Sequence, residues 1–230
     1  MRFAILSAGN GSRLAQEGVR LPKPLVRVAG EPMIGRLLRI FNSYSPDIIA
    51  VIVNPANTQT IDFLNSVHND YPLEVVVRST PSSMHSLYEL RKYLEGDRFC
   101  ATTVDTVFLE KEFNTYMNAF LTDGSDGVMA VTDYVDDEKP LFVGVDDKMN
   151  ITRFSDSSSG CRFVSGGIYG LTGKALGVLD DCVSAGMSRM RAFQKEMVAR
   201  GLILKAYALG KVIDVDHQTD IVDACGLLNG

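Results

Sequence analysis

The most informative stretch of the sequence reads Ser7-Ala-Gly-Asn-Gly-Ser-Arg-Leu14 and, after a polar segment, Leu21-Pro-Lys-Pro-Leu25. A strand-like apolar run over residues 2–6 leads directly into Gly9 and Gly11, which are one residue apart. Glycine lets the backbone approach an anion closely, so that successive N–H groups can point at phosphate oxygens. The stretch therefore predicts a phosphate-binding loop at the end of a strand.

Two cations follow the glycines. Arg13 offers a planar fork of donors, and Lys23 offers a compact point charge. Pro22 and Pro24 restrict the backbone around Lys23 to extended geometry, which stiffens its support. A single lysine or arginine is most often a solvated surface residue. Their position beside two glycines favours phosphate binding instead.

Two other nucleotide-binding loops do not match this stretch. A dinucleotide-binding turn needs a third glycine where the chain has Leu14. A P-loop needs Gly-Lys-Ser/Thr after four intervening residues, and the stretch contains no such group.

The complete string resembles the signature of the NTP-dependent nucleotidyltransferases that activate sugar phosphates, choline phosphate and related metabolites. The matching residues are Gly9, Gly11, Arg13, Leu14, Pro22, Lys23, Pro24, Leu25 and Gly30-Glu-Pro-Met33. The resemblance implies transfer of an NMP from an NTP to a phosphorylated acceptor, with release of pyrophosphate and Mg²⁺ as cofactor. It assigns Arg13 and Lys23 to catalysis at the triphosphate. It assigns Ala8, Gly9, Gly11 and Ser12, together with these two cations, to nucleotide binding.

Composition limits the function classes. The 230 residues are 46% hydrophobic and 22% charged, with a formal net charge of −5. This balance is ordinary for a globular protein and supplies no broad basic face, so we expect no nucleic-acid partner. No apolar stretch approaches the roughly 20 residues of a membrane helix. With no signal peptide and four scattered cysteines, we expect a cytoplasmic protein with reduced, mostly buried thiols. No linker or repeat interrupts residues 1–230, which we expect to form a single domain.

The first half of the chain alternates strand-like and helix-like patterns. We predict strands over residues 2–6, 47–53, 73–77 and 98–104, and helices over residues 33–41, 61–67 and 87–94. Repeated βα units predict an α/β fold with a doubly wound, mostly parallel sheet and helices on both faces, Rossmann-like in architecture. In such sheets ligands bind beyond the carboxyl ends of the strands. The glycine loop and Asp105 both follow strand ends, so we expect them on the same rim.

The second half has shorter strands. We predict strands over residues 126–132, 142–145, 151–154, 161–171 and 203–209, helices over residues 111–121, 174–185 and 190–200, and a final helix carrying Ile221, Val222 and Cys225. These short alternating strands predict a small antiparallel region that completes the acceptor pocket.

Carboxylates follow two strand-like runs, at Asp105 and in Val212-Ile-Asp-Val-Asp216. Magnesium prefers one or two carboxylates together with phosphate and water oxygens. The second string resembles the Asp-Val-Asp-Thr-Pro-Glu-Asp-Leu segment of the transferases, whose catalytic metal is bound by an aspartate at each place. The resemblance implies Asp105 as first ligand and Asp214 as preferred second ligand. Asp216 is a further candidate ligand, although its place just before the final helix favours an N-cap.

A serine-rich segment bears on the nucleotide. Thr80-Pro-Ser-Ser-Met-His-Ser-Leu-Tyr-Glu-Leu90 resembles a helix start of choline-phosphate and similar cytidylyltransferases. Ser82, Ser83 and Ser86 are candidates to contact the base or ribose, and Ser83 is the one that we assign to nucleotide binding. Capping of the helix is the alternative. CTP, or else UTP or dTTP, is the expected nucleotide.

The acceptor site is less well specified. Gly166-Gly-Ile-Tyr169 resembles the strand that lines the sugar pocket of hexose-1-phosphate enzymes, which implies acceptor binding at Gly166 and Gly167; a strand bulge is the alternative. Those enzymes hold the acceptor phosphate with the lysine of a Glu-Lys-Pro motif. Glu138-Lys-Pro140 lies too early in this chain, so the role is not assigned to Lys139, and Arg153 or Arg162 is the candidate substitute.

Several choices stay open at this point. The acceptor can be a sugar-1-phosphate, choline phosphate or a similar phosphorylated small molecule, and a homo-oligomer is left open. The chain has Val104 where the family often has glycine before Asp105, and it lacks the acceptor lysine. Both departures support an alternative, a non-catalytic nucleotide-binding regulatory module on the same fold.

Overall fold

The computed structural model describes residues 1–9, 11–135 and 139–230. The strands in these ranges are β1 (Arg2–Ser7), β2 (Arg27–Val28), β3 (Glu31–Pro32), β4 (Ile48–Val53), β5 (Leu73–Val77), β6 (Arg98–Thr103), β7 (Thr106–Val107), β8 (Gly127–Thr132), β9 (Phe142–Val145), β10 (Ile151–Ser155), β11 (Phe163–Thr172), β12 (Leu204–Ala208) and β13 (Ile213–Asp214). The α-helices are α1 (Ser12–Gln16), α2 (Met33–Asn42), α3 (Thr58–Ser66), α4 (Ser83–Leu90), α5 (Glu110–Thr122), α6 (Lys174–Ser184), α7 (Met190–Ala199) and α8 (Gln218–Asn229). Short 3₁₀ turns cover Lys23–Leu25, His68–Asp70 and Arg91–Tyr93.

A nine-stranded sheet forms the centre of the fold. Four strands lie parallel in the order β6-β1-β4-β5, with Ala4 of β1 paired to Ala50 of β4 and to Ala101 of β6. The apolar run of β1 is buried on both faces, which is the pattern of a central parallel strand. The predicted α/β fold with a mostly parallel sheet is confirmed.

Helices cover both faces of this sheet. Along β1, Phe3 and Ile5 belong to the hydrophobic cluster that includes residues of α2 and α5. Ala4 and Leu6 belong to the cluster that includes residues of α4, α6 and α7. Because successive strand side chains point to opposite faces, one apolar strand supplies both cores. The double winding predicted from the βα alternation is thereby explained.

The predicted antiparallel region is also present. Strand β11 lies antiparallel to β6, β8 and β9, and β9 forms an antiparallel pair with β10. The pairing of β11 with β8 shifts register between Ser165 and Tyr169. The shift surrounds Gly166 and Gly167, so the bulge considered for these glycines exists. A bulge bends its strand and redirects its backbone.

A two-stranded ladder joins two distant parts of the sequence. Strand β13 pairs antiparallel with β7, with Asp214 opposite Thr106, and Val215 N–H donates to Asp105 O at 3.1 Å. Two-residue strands are too short for their hydrophobic periodicity to be recognised in a sequence. The pairing brings the Asp214 segment beside Asp105.

The last helix packs onto the opening loop. Leu14, Val26, Met33 and Ala224 of α8 share a small hydrophobic cluster with Val215. This packing holds the segment before α8 against the loop that carries the two predicted cations. Within the described ranges, no helix combines the length and the apolar character needed to cross a membrane.

All four cysteines are free thiols. Cys100 and Cys182 are buried, whereas Cys161 and Cys225 are partly exposed. Complete burial in the sheet raises the pKa of the Cys100 thiol. The prediction of mostly buried thiols therefore holds for two of the four cysteines.

Candidate active site

The glycine loop leaves the carboxyl end of β1 and leads into α1. Gly11 has a φ of 59° and lies so close to Lys23 that a Cβ atom on it would be 2.9 Å from Lys23 Cβ. Positive φ and this close approach both require glycine. Gly11 therefore allows the turn that brings Lys23 against the loop. Asn10 lies outside the described residues.

Four charged side chains form a continuous chain beside this loop. Lys23 Nζ contacts Asp105 Oδ2 and lies 2.7 Å from Asp216 Oδ1. Arg13 Nη1 lies 2.6 Å from Asp216 Oδ2. The Lys23 side chain is only 10% exposed, whereas that of Arg13 is 52% exposed. The structure thus brings together Arg13, Lys23, Asp105 and Asp216, which are widely separated in the sequence.

The charges of this chain stabilise one another. Burial disfavours the charged ammonium of Lys23, but Asp105 and Asp216 outweigh that effect and raise its pKa. Burial likewise disfavours ionised Asp216, yet Lys23 and Arg13 keep the pKa of its carboxyl below the ordinary value. Both groups are therefore charged at neutral pH.

The N-cap interpretation of Asp216 is wrong. Helix α8 has His217 as its N-cap, and Asp220 completes a capping box with it. The Asp220 carboxylate accepts hydrogen bonds from the backbone N–H of Asp216 at 2.8 Å and of His217 at 2.6 Å. A capping box satisfies the first N–H groups of a helix without the residue before it. The Asp216 carboxylate is consequently free to pair with Lys23 and Arg13.

Asp214 faces a different side of the cleft. It is exposed to solvent, lines two cavities, and is partly enclosed by the atoms that line them. Thr106 Oγ1 donates to Asp214 Oδ1 at 3.1 Å. This enclosure and the nearby charge of Asp105 raise the pKa of the Asp214 carboxyl.

The carboxylates have donor atoms suited to a divalent cation. Asp105 Oδ1 is buried and has no hydrogen-bond partner among the described residues, and Asp105 Oδ2 already binds the cationic ammonium of Lys23. No group of three or more His, Cys, Asp or Glu side chains in the described ranges is arranged to hold a metal. Two carboxylates together with phosphate oxygens are what Mg²⁺ commonly uses, so the residues present fit this ion.

A cleft of about 480 Å³ opens beside the charged chain. Its lining includes Ala8, Gly9, Gly11, Ser12, Arg13, Lys23, Ser83, Asp105 and Asp216. All residues predicted to bind nucleotide therefore lie on one cavity. The capping alternative holds for Ser82, whose Oγ accepts from the His85 N–H at 3.5 Å at the start of α4. Ser86 is buried and hydrogen-bonds to Thr80 Oγ1 at 2.7 Å.

Two smaller cavities adjoin this cleft, one of about 280 Å³ and one of about 90 Å³. Gly167 lines the larger one and Gly166 the smaller one. Gly167 has a φ of 71°, and a Cβ atom on it would lie 2.9 Å from Thr106 Oγ1. The bulge thus lets β11 approach the segment after Asp105. Asp214 lines both cavities.

The substitutes proposed for the acceptor lysine do not line these cavities. Arg153 Nη2 donates to Ser159 O at 2.8 Å, and Arg162 Nη2 lies 4.0 Å from Asp133 Oδ2. The cations that line the larger cavity are Lys139, Arg189 and Arg191. Lys139, to which no role was assigned from the sequence, therefore lines the larger cavity. Glu138 of the same motif is outside the described residues.

Arg189 differs from Arg191 in having no salt bridge to any residue that the structure describes. Arg191 Nη1 lies 2.5 Å from Asp156 Oδ1, and Arg191 Nη2 donates to Lys139 O at 2.9 Å. The Arg189 guanidinium has no hydrogen-bond or ion-pair partner among the residues that the structure describes, and it lines the cavity at the start of α7. Sequence reasoning missed it. The available signal was Ser188-Arg-Met-Arg191, two arginines at a helix start.

Comparison with known proteins identifies the family. A family model described as the MobA-like NTP transferase domain matches residues 3–165. This chain belongs to that family. The resemblance drawn from the glycine loop is thereby confirmed. The matched part contains the loop, Lys23 and Asp105, whereas Asp214, Asp216 and Arg189 of this MobA-like chain lie beyond it.

Two curated relatives are distant in sequence. The chain is 24% identical over 159 residues to the CMP-5'-(3-aminopropyl)phosphonate synthase of Streptomyces rubellomurinus, covering 60% of this chain and 25% of that protein. It is 22% identical over 232 residues to the bifunctional protein GlmU of Methanococcus maripaludis, covering 97% of this chain and 53% of that protein. The MobA-like chain thus spans less than two thirds of either relative.

Solved structures share the fold over nearly the whole chain. The inositol-1-phosphate CTP transferase of T. maritima matches with a TM-score of 0.80 at 17% identity, covering 98% of this chain and 95% of that one. A putative glucose-1-phosphate thymidylyltransferase of Bacillus anthracis matches with a TM-score of 0.85 at 18% identity, covering 99% and 94%. At these identities the likeness establishes the nucleotidyltransferase fold.

Proposed function

We propose that this protein is a Mg²⁺-dependent nucleotidyltransferase that transfers an NMP from an NTP to a phosphorylated small molecule and releases pyrophosphate. The observation that carries the proposal is the bridge of Lys23 between Asp105 and Asp216 beside the glycine loop. This bridge places a cation that can bind phosphate next to two carboxylates that can bind a metal, and all three line one cleft of about 480 Å³. Membership of the MobA-like NTP transferase family supports the same reaction class.

Asp105 and Asp216 would hold the metal, because their oxygens already converge on one cation, the Lys23 ammonium. The sequence favoured Asp214 as the second ligand; we propose Asp216 in its place, because Asp216 shares the Lys23 ammonium with Asp105. When bound, Mg²⁺ would neutralise triphosphate charge and align the reacting groups. Lys23 would then exchange its carboxylate contacts for phosphate oxygens and stabilise the charge that develops at the α-phosphorus.

The proposed transfer needs no covalent enzyme intermediate. An oxygen of the acceptor phosphate, already anionic, forms the new bond to the α-phosphorus of the NTP. The bond from that phosphorus to the bridging oxygen of the β-phosphate breaks, and pyrophosphate leaves with the electron pair. The protein contributes orientation and electrostatic stabilisation. Arg13, which is half-exposed at the mouth of the cleft, is the proposed partner of the outer phosphates.

The proposed nucleotide is a pyrimidine NTP, CTP or else UTP or dTTP. Ser83 lines the same cleft as Ala8, Gly9, Gly11 and Ser12, where the base and ribose would lie. The names of three similar proteins support this choice, since they specify a CMP product, a CTP transferase and a thymidylyltransferase. Neutral hydroxyl groups suit the small hydrogen-bonding edge of a pyrimidine.

The proposed acceptor is a phosphorylated small molecule bound at the two smaller cavities. Arg189, with no ion-pair partner in the described residues, and Arg191 would attract its phosphate in the larger cavity. Gly166 and Gly167 would let the acceptor approach the backbone of β11. The names of two similar structures specify inositol 1-phosphate and glucose 1-phosphate. A cytoplasmic location and a homo-oligomeric state stay predictions from the sequence.

The test is a pyrophosphate-release screen of the four NTPs with Mg²⁺ against sugar 1-phosphates, polyol phosphates and choline phosphate. We expect release with one pyrimidine NTP and one acceptor class. NTP binding in calorimetry without release against any acceptor would instead support a regulatory module on the same fold.

A further inference from the structure

Asp214 occupies the boundary between the two smaller cavities. It lines both of them, whereas Asp105 and Asp216 line the 480 Å³ cleft with Lys23. Asp105 does not line either smaller cavity, and Asp216 lines only the one of about 90 Å³. Among the described carboxylates, Asp214 is therefore the one that lines both cavities proposed for the acceptor.

Threonine side chains fix the orientation of this carboxylate. Thr106 is 1% exposed, and its Oγ1 lies 2.7 Å from Thr103 Oγ1 and donates to Asp214 Oδ1 at 3.1 Å. Gly167 packs against the same Thr106 Oγ1, which leaves little room for the hydroxyl to move. The other oxygen, Asp214 Oδ2, accepts no hydrogen bond from the described residues. A held carboxylate with one uncommitted oxygen is suited to accept a hydrogen bond from a ligand.

The neighbouring groups have the chemistry that hydroxyl groups need. Gln194 is 2% exposed, and its Nε2 donates to Ser165 Oγ at 3.1 Å. Ser165 lines both smaller cavities beside Asp214, so a hydroxyl group that can donate and accept borders the same space. An acceptor hydroxyl can donate to Asp214 and also lie within reach of Ser165.

A quaternary ammonium finds less favourable surroundings here. Tyr134 is an aromatic residue of the 90 Å³ cavity, and Lys211 Nζ already lies 4.3 Å from the centre of its ring. Recognition of a quaternary ammonium uses open aromatic faces, and a nearby ammonium repels a second cation. Arg189 and Arg191 add further positive charge to the larger cavity. Tyr169, the aromatic residue of the larger cavity, is only 8% exposed, so the described lining offers little of the open ring face that a choline-type group uses.

We propose that Asp214 is a specificity-determining residue that accepts a hydrogen bond from a hydroxyl of the phosphorylated acceptor, with Thr106 as its positioning residue. The inference rests on the proposed nucleotidyl transfer and deepens it by naming the acceptor chemistry. It gives Asp214 a partner other than the metal. The two roles differ in what a substitution at Asp214 does to metal binding.

The test compares acceptors that differ only in hydroxyl groups. Pyrophosphate release is measured with glycerol 3-phosphate and n-propyl phosphate, with glucose 1-phosphate and 2-deoxyglucose 1-phosphate, and with choline phosphate. The proteins are the wild type, Asp214→Asn, Thr106→Val, Thr106→Ser and the control Asp62→Asn, an exposed residue of α3. Mn²⁺ binding in the presence of the NTP is followed by electron paramagnetic resonance.

For Asp214→Asn we expect kcat/KM to fall about 10- to 100-fold with the hydroxylated acceptors and about twofold or less with n-propyl phosphate, because only the former lose a charged hydrogen bond. Mn²⁺ affinity should not change. Thr106→Val should reduce the preference for glycerol 3-phosphate in the same direction, and Thr106→Ser should restore it. A folding defect would not alter the ratio between two acceptors.

Three outcomes would overturn the inference. They are equal losses with every acceptor in Asp214→Asn, weakened Mn²⁺ binding in that variant, and wild-type turnover with choline phosphate but not with the hydroxylated acceptors. If the wild type does not release pyrophosphate with any of the acceptors, the proposed function fails and the inference fails with it. Wild-type turnover with an unchanged acceptor preference in Asp214→Asn removes the inference alone.

Discussion

The proposed nucleotide side and the proposed acceptor side of the cleft, called the nucleotide side and the acceptor side below, are built in different ways. The glycine loop and Asp105 follow the carboxyl ends of β1 and β6, which are adjacent parallel strands. The acceptor side is formed by the bulge of β11, the start of α7 and the ladder of β7 with β13. Parallel strand ends meet at one rim whatever helices connect them. A bulge and a helix start meet only if the tertiary packing brings them together.

This difference separates two kinds of effect. Changes on the nucleotide side should impair reaction with every acceptor, because the triphosphate and metal are common to all of them. Changes on the acceptor side should alter acceptor KM and leave NTP binding intact.

The largest effect is expected at Asp105. Asp105→Ala should reduce kcat for pyrophosphate release by about 10³-fold or more with any acceptor. The reason is that the metal, which neutralises the charge of the triphosphate, would lose a ligand. Steady-state kinetics across the acceptor panel measures the loss. Asp62→Ala, which alters an exposed aspartate of α3, is the matched control. Full activity of Asp105→Ala would remove Asp105 from the metal site.

A smaller loss is expected for Gly11→Ala. The substitution forces a non-glycine residue to a φ of 59° and places its Cβ 2.9 Å from Lys23 Cβ. We expect the free energy of unfolding to fall by about 1–3 kcal/mol, with weaker NTP binding. Urea denaturation and calorimetry measure the two effects.

Gly9→Ala is the control for stability, because a Cβ atom there meets no heavy atom within 4 Å. It should leave the free energy of unfolding within about 0.5 kcal/mol of the wild type. Equal destabilisation by the two substitutions would show that the approach of Gly11 to Lys23 has no special role.

On the acceptor side, Arg189→Ala should raise acceptor KM by about 10- to 50-fold, since a charged contact to phosphate is lost. The KM for the NTP should stay unchanged, because Arg189 lines the 280 Å³ cavity and not the nucleotide cleft. Arg162→Ala, near Asp133 and away from the cavities, is the matched control. A higher NTP KM in Arg189→Ala would contradict the separation of the two sides.

The smallest effect is expected at the contact between α8 and the glycine loop. His217 Nδ1 lies 2.5 Å from Glu17 Oε1, which raises the pKa of His217 and lowers the pKa of Glu17. The raised histidine pKa stabilises the fold below its ordinary value of 6.5, and this stabilisation is lost as pH rises through the raised value. The lowered glutamate pKa stabilises the fold above its ordinary value of 4.5, and this stabilisation is lost as pH falls through the lowered value.

Melting temperatures of the wild type and Glu17→Gln should therefore differ most between pH 4.5 and 6.5, and differ less at alkaline pH, where His217 is neutral. The pair is exposed, so the difference should be small and should shrink in high salt. His68→Gln, at an exposed histidine outside this contact, is the control variant. A difference that grows towards alkaline pH would contradict the assignment.

Much of the acceptor side lay beyond prediction from sequence. The expected cations, Arg153 and Arg162, bond elsewhere, while Arg189 and Lys139 line the cavity. The prediction that Asp216 is the N-cap of α8 was wrong by one residue, because His217 is the N-cap and forms the capping box with Asp220. A helix boundary cannot be located that closely from periodicity, since caps depend on backbone geometry.

The sequence by itself determined the parallel sheet, the glycine loop and the presence of Asp105 on the same rim. These follow from local patterns, namely apolar strand runs, glycines at strand ends and helical periodicity. Only the tertiary structure decided which carboxylate meets Lys23, that Asp214 turns towards the acceptor cavities, and which arginine lines them. Those contacts join residues up to 203 positions apart, as in the Arg13–Asp216 pair. Their geometry depends on how α8, β11 and α7 pack against the rest of the fold. Local sequence patterns do not predict that packing.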